Sequence, residues 1–173
     1  MKNSKLAKFL WFVIGTILIV VCDQITKVMA VNVLKGKKPF AIIDGVLEFN
    51  YLENKGAAWG MMSGARVFFL VLTVVILVAV AYVVVKIPEI SQYKLLLTVC
   101  TLLSGGAIGN FIDRAYLQYV RDFIYFKLIN FPVFNVADIA VTLSVIFLII
   151  AIFFVYDDDA FNFLPFVKDE KHE

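Results

Sequence analysis

Asp122 and Asp138 lie in a stretch, Phe111 to Asp138, that reads FIDRAYLQYVRDFIYFKLINFPVFNVAD. The same stretch carries Asp113, Arg114, Arg121, Lys127 and Asn135, and long apolar runs flank it on both sides. Ionisable residues set against membrane-length segments are expensive and by default mark a functional site. Two carboxylates brought together in a low dielectric cannot both ionise, so one keeps a proton. One can then deprotonate a water while the other donates to a substrate carbonyl. That is peptide hydrolysis without a protein nucleophile, metal or histidine. A structural reading stands beside it. Asp138 would sit in the first turn of a helix, where the dipole favours an acid, with Asn135 as its N-cap. Asp122 would be an exposed loop charge paired with Arg121.

Further polar residues admit two readings each. Asn110 and Arg114 are four apart, on one helical face; they could hold a peptide backbone or a lipid head group, or Arg114 could snorkel to the interface and pair with Asp113. Asp23 and Lys27 share the same spacing and read as a structural pair that could brace a site. Asn54 with Gly56, in NKGAAWG, is either a loop turn or a substrate contact, since small residues let backbone approach a ligand. Gly105 and Gly109 form a small-xxx-small pair suited to helix packing. Asp44, Glu48 and Glu53 read as solvated loop charges, and Asp113, Arg121 and Lys127 as interface charges. Cys22 and Cys100 both fall in apolar runs and behave as small hydrophobes. The single histidine, His172, is close to the end of the sequence. These counts argue against a histidine triad and against the common zinc sites.

The elements that must position these residues are membrane helices. The chain is 62% hydrophobic and 17% charged, with a mean hydropathy of +0.90; soluble chains carry about a quarter charged residues. A net charge of +2, scattered between apolar blocks, gives no case for a nucleic-acid partner. Four runs are long enough for a hydrocarbon core of about 30 Å: residues 9–31, 66–86, 95–115 and 136–156. The basic start, the first apolar run and Cys22 together could suggest a cleaved lipoprotein signal peptide. Val20 and Val21 stand where cleavage needs small residues, so the run is read as a first transmembrane helix. Between the first two helices, Ile42 to Tyr51 mixes β-branched and aromatic residues, which predicts a small β-element. Tyr116 to Phe134 reads as an interfacial loop rich in aromatics. Residues 157–173 read as a polar tail. The expectation is an all-α integral membrane protein, one domain over 1–173.

Four spans put both termini on one side. Asp23, Asn54, Asn110, Arg114, Asp122, Asn135 and Asp138 must then meet at the opposite membrane face. Lys2, Lys5, Lys8, Lys86 and Lys94 favour cytoplasmic termini, against Lys35, Lys37 and Lys38. The polar cluster is therefore expected on the outer side.

Five blocks together resemble the lipoprotein signal peptidase (signal peptidase II) family of bacterial membrane aspartic peptidases. They are DQITK (Asp23 to Lys27), NKGAAWG (Asn54 to Gly60), GGAIGNFIDR (Gly105 to Arg114), VRDFI (Val120 to Ile124) and FPVFNVAD (Phe131 to Asp138). The resemblance implies removal of the signal peptide from diacylglyceryl-modified prolipoproteins, just before the lipidated Cys. It assigns the catalytic dyad to Asp122 and Asp138. It assigns support or substrate binding to Asp23, Lys27, Asn54, Gly56, Asn110, Arg114 and Asn135. It further implies a monomer in the bacterial cytoplasmic membrane, among its lipids, with cytoplasmic termini and an extracytoplasmic β-element. No metal or cofactor is implied, and the cyclic peptide globomycin is the expected inhibitor. This sequence departs from the family pattern at Gln118, where Gly is usual, at Ile139, where a small hydroxyl residue is usual, and in its acidic tail opening.

Two other classes remain to be separated from this one. A proton-coupled carrier would want charges through the membrane depth and repeated halves; the charges here gather at one face and no repeat is present. A scaffold dimerising through Gly105 and Gly109 gives no reason for Asp122, Asn135 and Asp138 to meet.

Overall fold

The computed structural model describes residues 2–56, 64–88 and 91–164. Among these residues, four helices are long and apolar enough to cross a membrane. They are α1 (Lys2–Leu34), α2 (Arg66–Lys86), α3 (Lys94–Tyr116) and α4 (Val136–Ile150), the last continued by one wide turn over Ala151–Val155. α2 is crowded with Val, an indifferent helix former in water. In a bilayer the backbone must satisfy its own hydrogen bonds, and that requirement overrides propensity. Ile87, ahead of Pro88, turns extended (ψ 120°) and ends the helix. The expected first span of 9–31 is too short at both ends. The other three match to within a residue, save that the last passes into the wide turn after Ile150.

The β-element is larger than expected. β1 (Phe40–Ile43), β2 (Leu47–Asn54) and β3 (Val120–Phe126) form an antiparallel sheet in that order. β3 comes from the stretch between α3 and α4 that reads as a loop. It pairs Leu52 with Asp122 and Asn54 with Val120, so β2 delivers Asn54 beside Asp122. A single turn over Lys127–Ile129 follows, and Phe134 returns to bond Ile124 in both directions. Gln118, just before β3, adopts φ +71°, the left-handed region that favours glycine.

α3 is the central helix. Leu97, Cys100, Thr101, Ser104, Gly105, Gly109, Asn110 and Asp113 are among its buried residues, whereas α2 buries Val80 and Val84. Its glycines set the spacing. A Cβ on Gly105 would lie 2.6 Å from Cβ of Ile19, and one on Gly106 would collide with the carbonyl of Ala137. A Cβ on Gly109 would lie 2.5 Å from Oδ2 of Asp23. The small-residue pair therefore packs α3 against α1 inside one chain.

The two ends of the bundle differ. At the end holding the start of α1, Lys8 is buried and donates to the carbonyl of Ile87 (2.7 Å), answering the C-terminus of α2. Tyr93 donates to the carbonyl of Ala160 (2.8 Å), and Tyr156 accepts from Leu96 N–H (3.2 Å). The first part of the expected polar tail is thus folded back, with Leu164 buried and Phe163 edge-on to Tyr93. Residues 165–173, including His172, lie outside the described residues, as do 57–63, which include the last four residues of the NKGAAWG block. The opposite end carries the sheet and the polar cluster.

Candidate active site

Asparagines frame the two aspartates. Asn135 is the N-cap of α4, and its Oδ1 accepts from Asp138 N–H (3.1 Å). Asp138 Oδ2 accepts from Asn135 N–H (3.0 Å), completing a capping box. With its oxygen occupied, Asn135 turns its amide N–H to Asp122 Oδ1 (2.6 Å). One residue therefore holds both carboxylates. Asn54 works the same way. Its Oδ1 accepts from Gly56 N–H (2.9 Å), which aims Nδ2 at Asp122 Oδ2 (2.9 Å). Asn110 Oδ1 accepts from Lys27 Nζ (2.9 Å) and Asn135 Nδ2 (3.1 Å), leaving its own Nδ2 for Asp138 Oδ1 (2.8 Å). Each of the four carboxylate oxygens thus receives one N–H.

The capping and pairing alternatives resolve differently for the two residues. Asp138 caps its helix and also lines a cavity, so the structural reading is true without being complete. Asp122 is neither exposed nor paired with Arg121; it is 2% exposed. Burial first, and then the charge of Asp138, push the Asp122 carboxyl up to about 7, against the opposing pull of Asn54, Asn135 and Lys27.

The cavity has a volume of about 570 Å³. Asn54, Gly56, Asn110, Arg114, Asp122 and Asp138 form its polar floor. Ile129, Phe131 and Phe134, ahead of α4, and Ile139, Thr142 and Leu143 on it form a largely apolar wall. Arg114 does not pair with Asp113. Its guanidinium lies 4.8 Å from the ring centre of Phe69 and donates to the carbonyl of Gly56 (3.4 Å). It is a cation facing the cavity.

Behind the floor is a buried ionic cluster. Asp23, Lys27 and Asp113 are fully buried. Lys27 Nζ lies 2.8 Å from Asp23 and 3.6 Å from Asp113. Asp23 also accepts from Ala137 N–H (2.9 Å), pinning the first turn of α4 that carries Asp138. Asp113 and Arg121 read from sequence as interface charges, and the structure corrects this. Arg121 grips Asp113 through Nη2 (2.6 Å), Nε (3.0 Å) and its backbone N–H (2.9 Å). Gln24 joins them, accepting from Arg121 (2.8 Å) and donating to Asp23, Asp113 and the carbonyl of Gly109. A signal for Asp113 was present: it follows Gly105 and Gly109 at intervals of four, which places it on the face of α3 that packs on α1. Lys127 is an exposed charge as expected, but its partner Glu48 is buried rather than solvated. Glu53 pairs with Lys35 near the surface.

Residues 15–154 match the family model described as signal peptidase (SPase) II. The chain belongs to that family. Among curated relatives, a lipoprotein signal peptidase of Lactobacillus johnsonii is 37% identical over 155 residues, covering 88% of this chain and 98% of that one. One from Staphylococcus aureus is 40% identical over 139 residues, covering 79% and 83%. A solved structure described as a bacterial membrane enzyme superposes with a TM-score of 0.75 at 34% identity, covering 93% of each chain. A second, at 35% identity, gives 0.74 and covers 83% and 93%. The family resemblance carried by the five sequence blocks is borne out, and with it the class: a multi-pass membrane peptidase of signal peptidase II type.

Proposed function

We propose that the chain is an aspartic endopeptidase in which Asp122 and Asp138 share one proton and activate a water. The observation that carries this is Asn135, which bonds both carboxylates at the floor of one cavity. Two carboxyls so placed, in a buried site, hold a single proton between them at neutral pH. The ionised partner takes a proton from water as the oxygen attacks the scissile carbonyl. The protonated partner donates to that carbonyl oxygen. Proton return to the leaving nitrogen breaks the C–N bond. The four N–H groups of the three asparagines keep the carboxylates aligned, and Arg114 is placed to hold the peptide backbone. Asp23 and Lys27 brace this arrangement.

The substrate in this reading is a prolipoprotein, which the name lipoprotein signal peptidase, carried by the relatives, supports. The apolar wall from Ile129 to Leu143 supports a diacylglyceryl-modified substrate cut just before the lipidated Cys, with acyl chains running along α4 in the bilayer. The same cavity is where a cyclic peptide such as globomycin would compete. We place the protein in the bacterial cytoplasmic membrane as a monomeric single domain over 1–173, with the site toward the outer face and the termini in the cytoplasm. The test is cleavage of a diacylated prolipoprotein in detergent. Asp122→Asn and Asp138→Asn should each lower the rate at least about a hundredfold, with folded protein recovered. Wild-type turnover by either variant would refute the dyad.

A further inference from the structure

The ionic cluster behind the asparagine frame meets the side chains of that frame at one atom. Lys27 Nζ bonds Asn110 Oδ1, and Asn110 Nδ2 bonds Asp138. On its other sides Lys27 meets Asp23 and Asp113, and Asp113 is held by Arg121. Two anions and two cations balance. Formed in a low dielectric, such a block is costly unless every member is paired, and a charge removed from it is poorly screened.

We infer that Asp23, Lys27, Asp113 and Arg121 act as a charge-neutral block that sets the proton affinity of the Asp122–Asp138 pair, with Arg121 the positioning residue that completes it. This rests on the dyad reading above and goes beyond it. The other charged groups around Asp122 are accounted for. From α4 it faces Asp138, from α1 Lys27 and from α3 Arg114, while Asp23 bears on Asp138 and Asp113 is held by Arg121. On the β2 side, Glu53 is engaged by Lys35 and by the Tyr51 hydroxyl. With Arg121 present, the charge of Lys27 is not outweighed by two carboxylates, and Lys27 draws Asp122 toward ionisation. Without Arg121 the block carries a net negative charge directly behind the dyad. Proton loss from the dyad then becomes harder.

The test is the pH–rate profile with diacylated prolipoprotein in detergent, with thermal unfolding recorded for each variant. At an effective dielectric near 20, one unbalanced charge at about 10 to 20 Å moves a carboxyl by about half to just over one pH unit. Arg121→Gln should shift both limbs upward by that amount, and Asp113→Asn should shift them downward. The double variant Asp113→Asn/Arg121→Gln should bring them back. Arg121→Lys should keep the wild-type midpoints even where it unfolds earlier. A merely structural cluster gives the opposite pattern: lower stability and rate, with midpoints unmoved in both single variants. That outcome overturns the inference. If the single variants yield no folded protein, Gln24→Glu adds a negative charge beside Arg121 and must raise the midpoints; unchanged midpoints there also overturn it. The dyad reading fails separately, only if Asp122→Asn or Asp138→Asn retains activity.

Discussion

Asp122 is pulled in two directions. Burial and the neighbouring Asp138 hold its proton on, while N–H groups from Asn54 and Asn135 favour its loss. The outcome, about 7, has a stability consequence whose sign is fixed. In the unfolded chain the carboxyl ionises near 4. Below that pH both states hold the proton. Between about 4 and about 7 the unfolded state releases it and the folded state does not, so stability falls as pH rises through this window. At full effect a carboxyl moved by that much corresponds to about 4 kcal/mol. The thermal midpoint in detergent should therefore decline from pH 5 to pH 8, and Asp122→Asn should flatten the decline. An equally steep decline in the variant would show that the proton belongs elsewhere. At this scale the sequence was legible where residues recur at helical spacing or share a block. Asn110 and Arg114 do line one cavity, as their separation by four implied. Arg121 is eight residues beyond Asp113, across a turn and on a strand, and no periodicity links such a pair.

Among the elements, α2 and α4 could be read almost to the residue because an apolar run of membrane length has one structural solution. β3 could not. Its residues, VRDFIYF, become a strand by pairing with β2, far away in sequence, and by accepting Phe134 at the other edge. Nothing local distinguishes them from an aromatic interfacial loop. The turn into β3 carries the clearest departure from local preference. Gln118 is exposed and left-handed, which costs a residue with a Cβ about 1 kcal/mol or more. Gly, the residue that the family resemblance leads one to expect there, adopts that conformation freely. Gln118→Gly should raise stability by up to about 1 kcal/mol, the gain being reduced by the greater freedom of Gly in the unfolded chain. Thermal or denaturant unfolding in detergent checks it. A loss of stability would mean that the Gln118 side chain supports the turn in some way its exposure does not reveal.

The whole molecule has one end closed by Lys8, Tyr93 and Tyr156, and one end carrying the sheet, the cavity and the ionic cluster. This polarity separates it from a carrier, whose charges would be needed through the depth of the bilayer. It also makes orientation testable. In a background lacking Cys22 and Cys100, a cysteine at Lys37 should react with a membrane-impermeant maleimide added to intact cells, and one at Asp157 should not. The reverse pattern would turn the protein over and put the cavity inside. The ionic cluster has a consequence for biosynthesis as well. Asp23 and Lys27 lie one turn apart on α1 and neutralise each other, so that helix can leave the translocon without waiting for a partner. Asp113 sits near the end of α3, and Arg121 is reached only after Leu117 to Val120 have turned back. Full neutralisation of Asp113 is thus tied to the making of that turn, and a nascent chain stalled before Arg121 would leave this acid to Gln24 and to a Lys27 already shared with Asp23, a marker of unfinished synthesis for quality-control proteases.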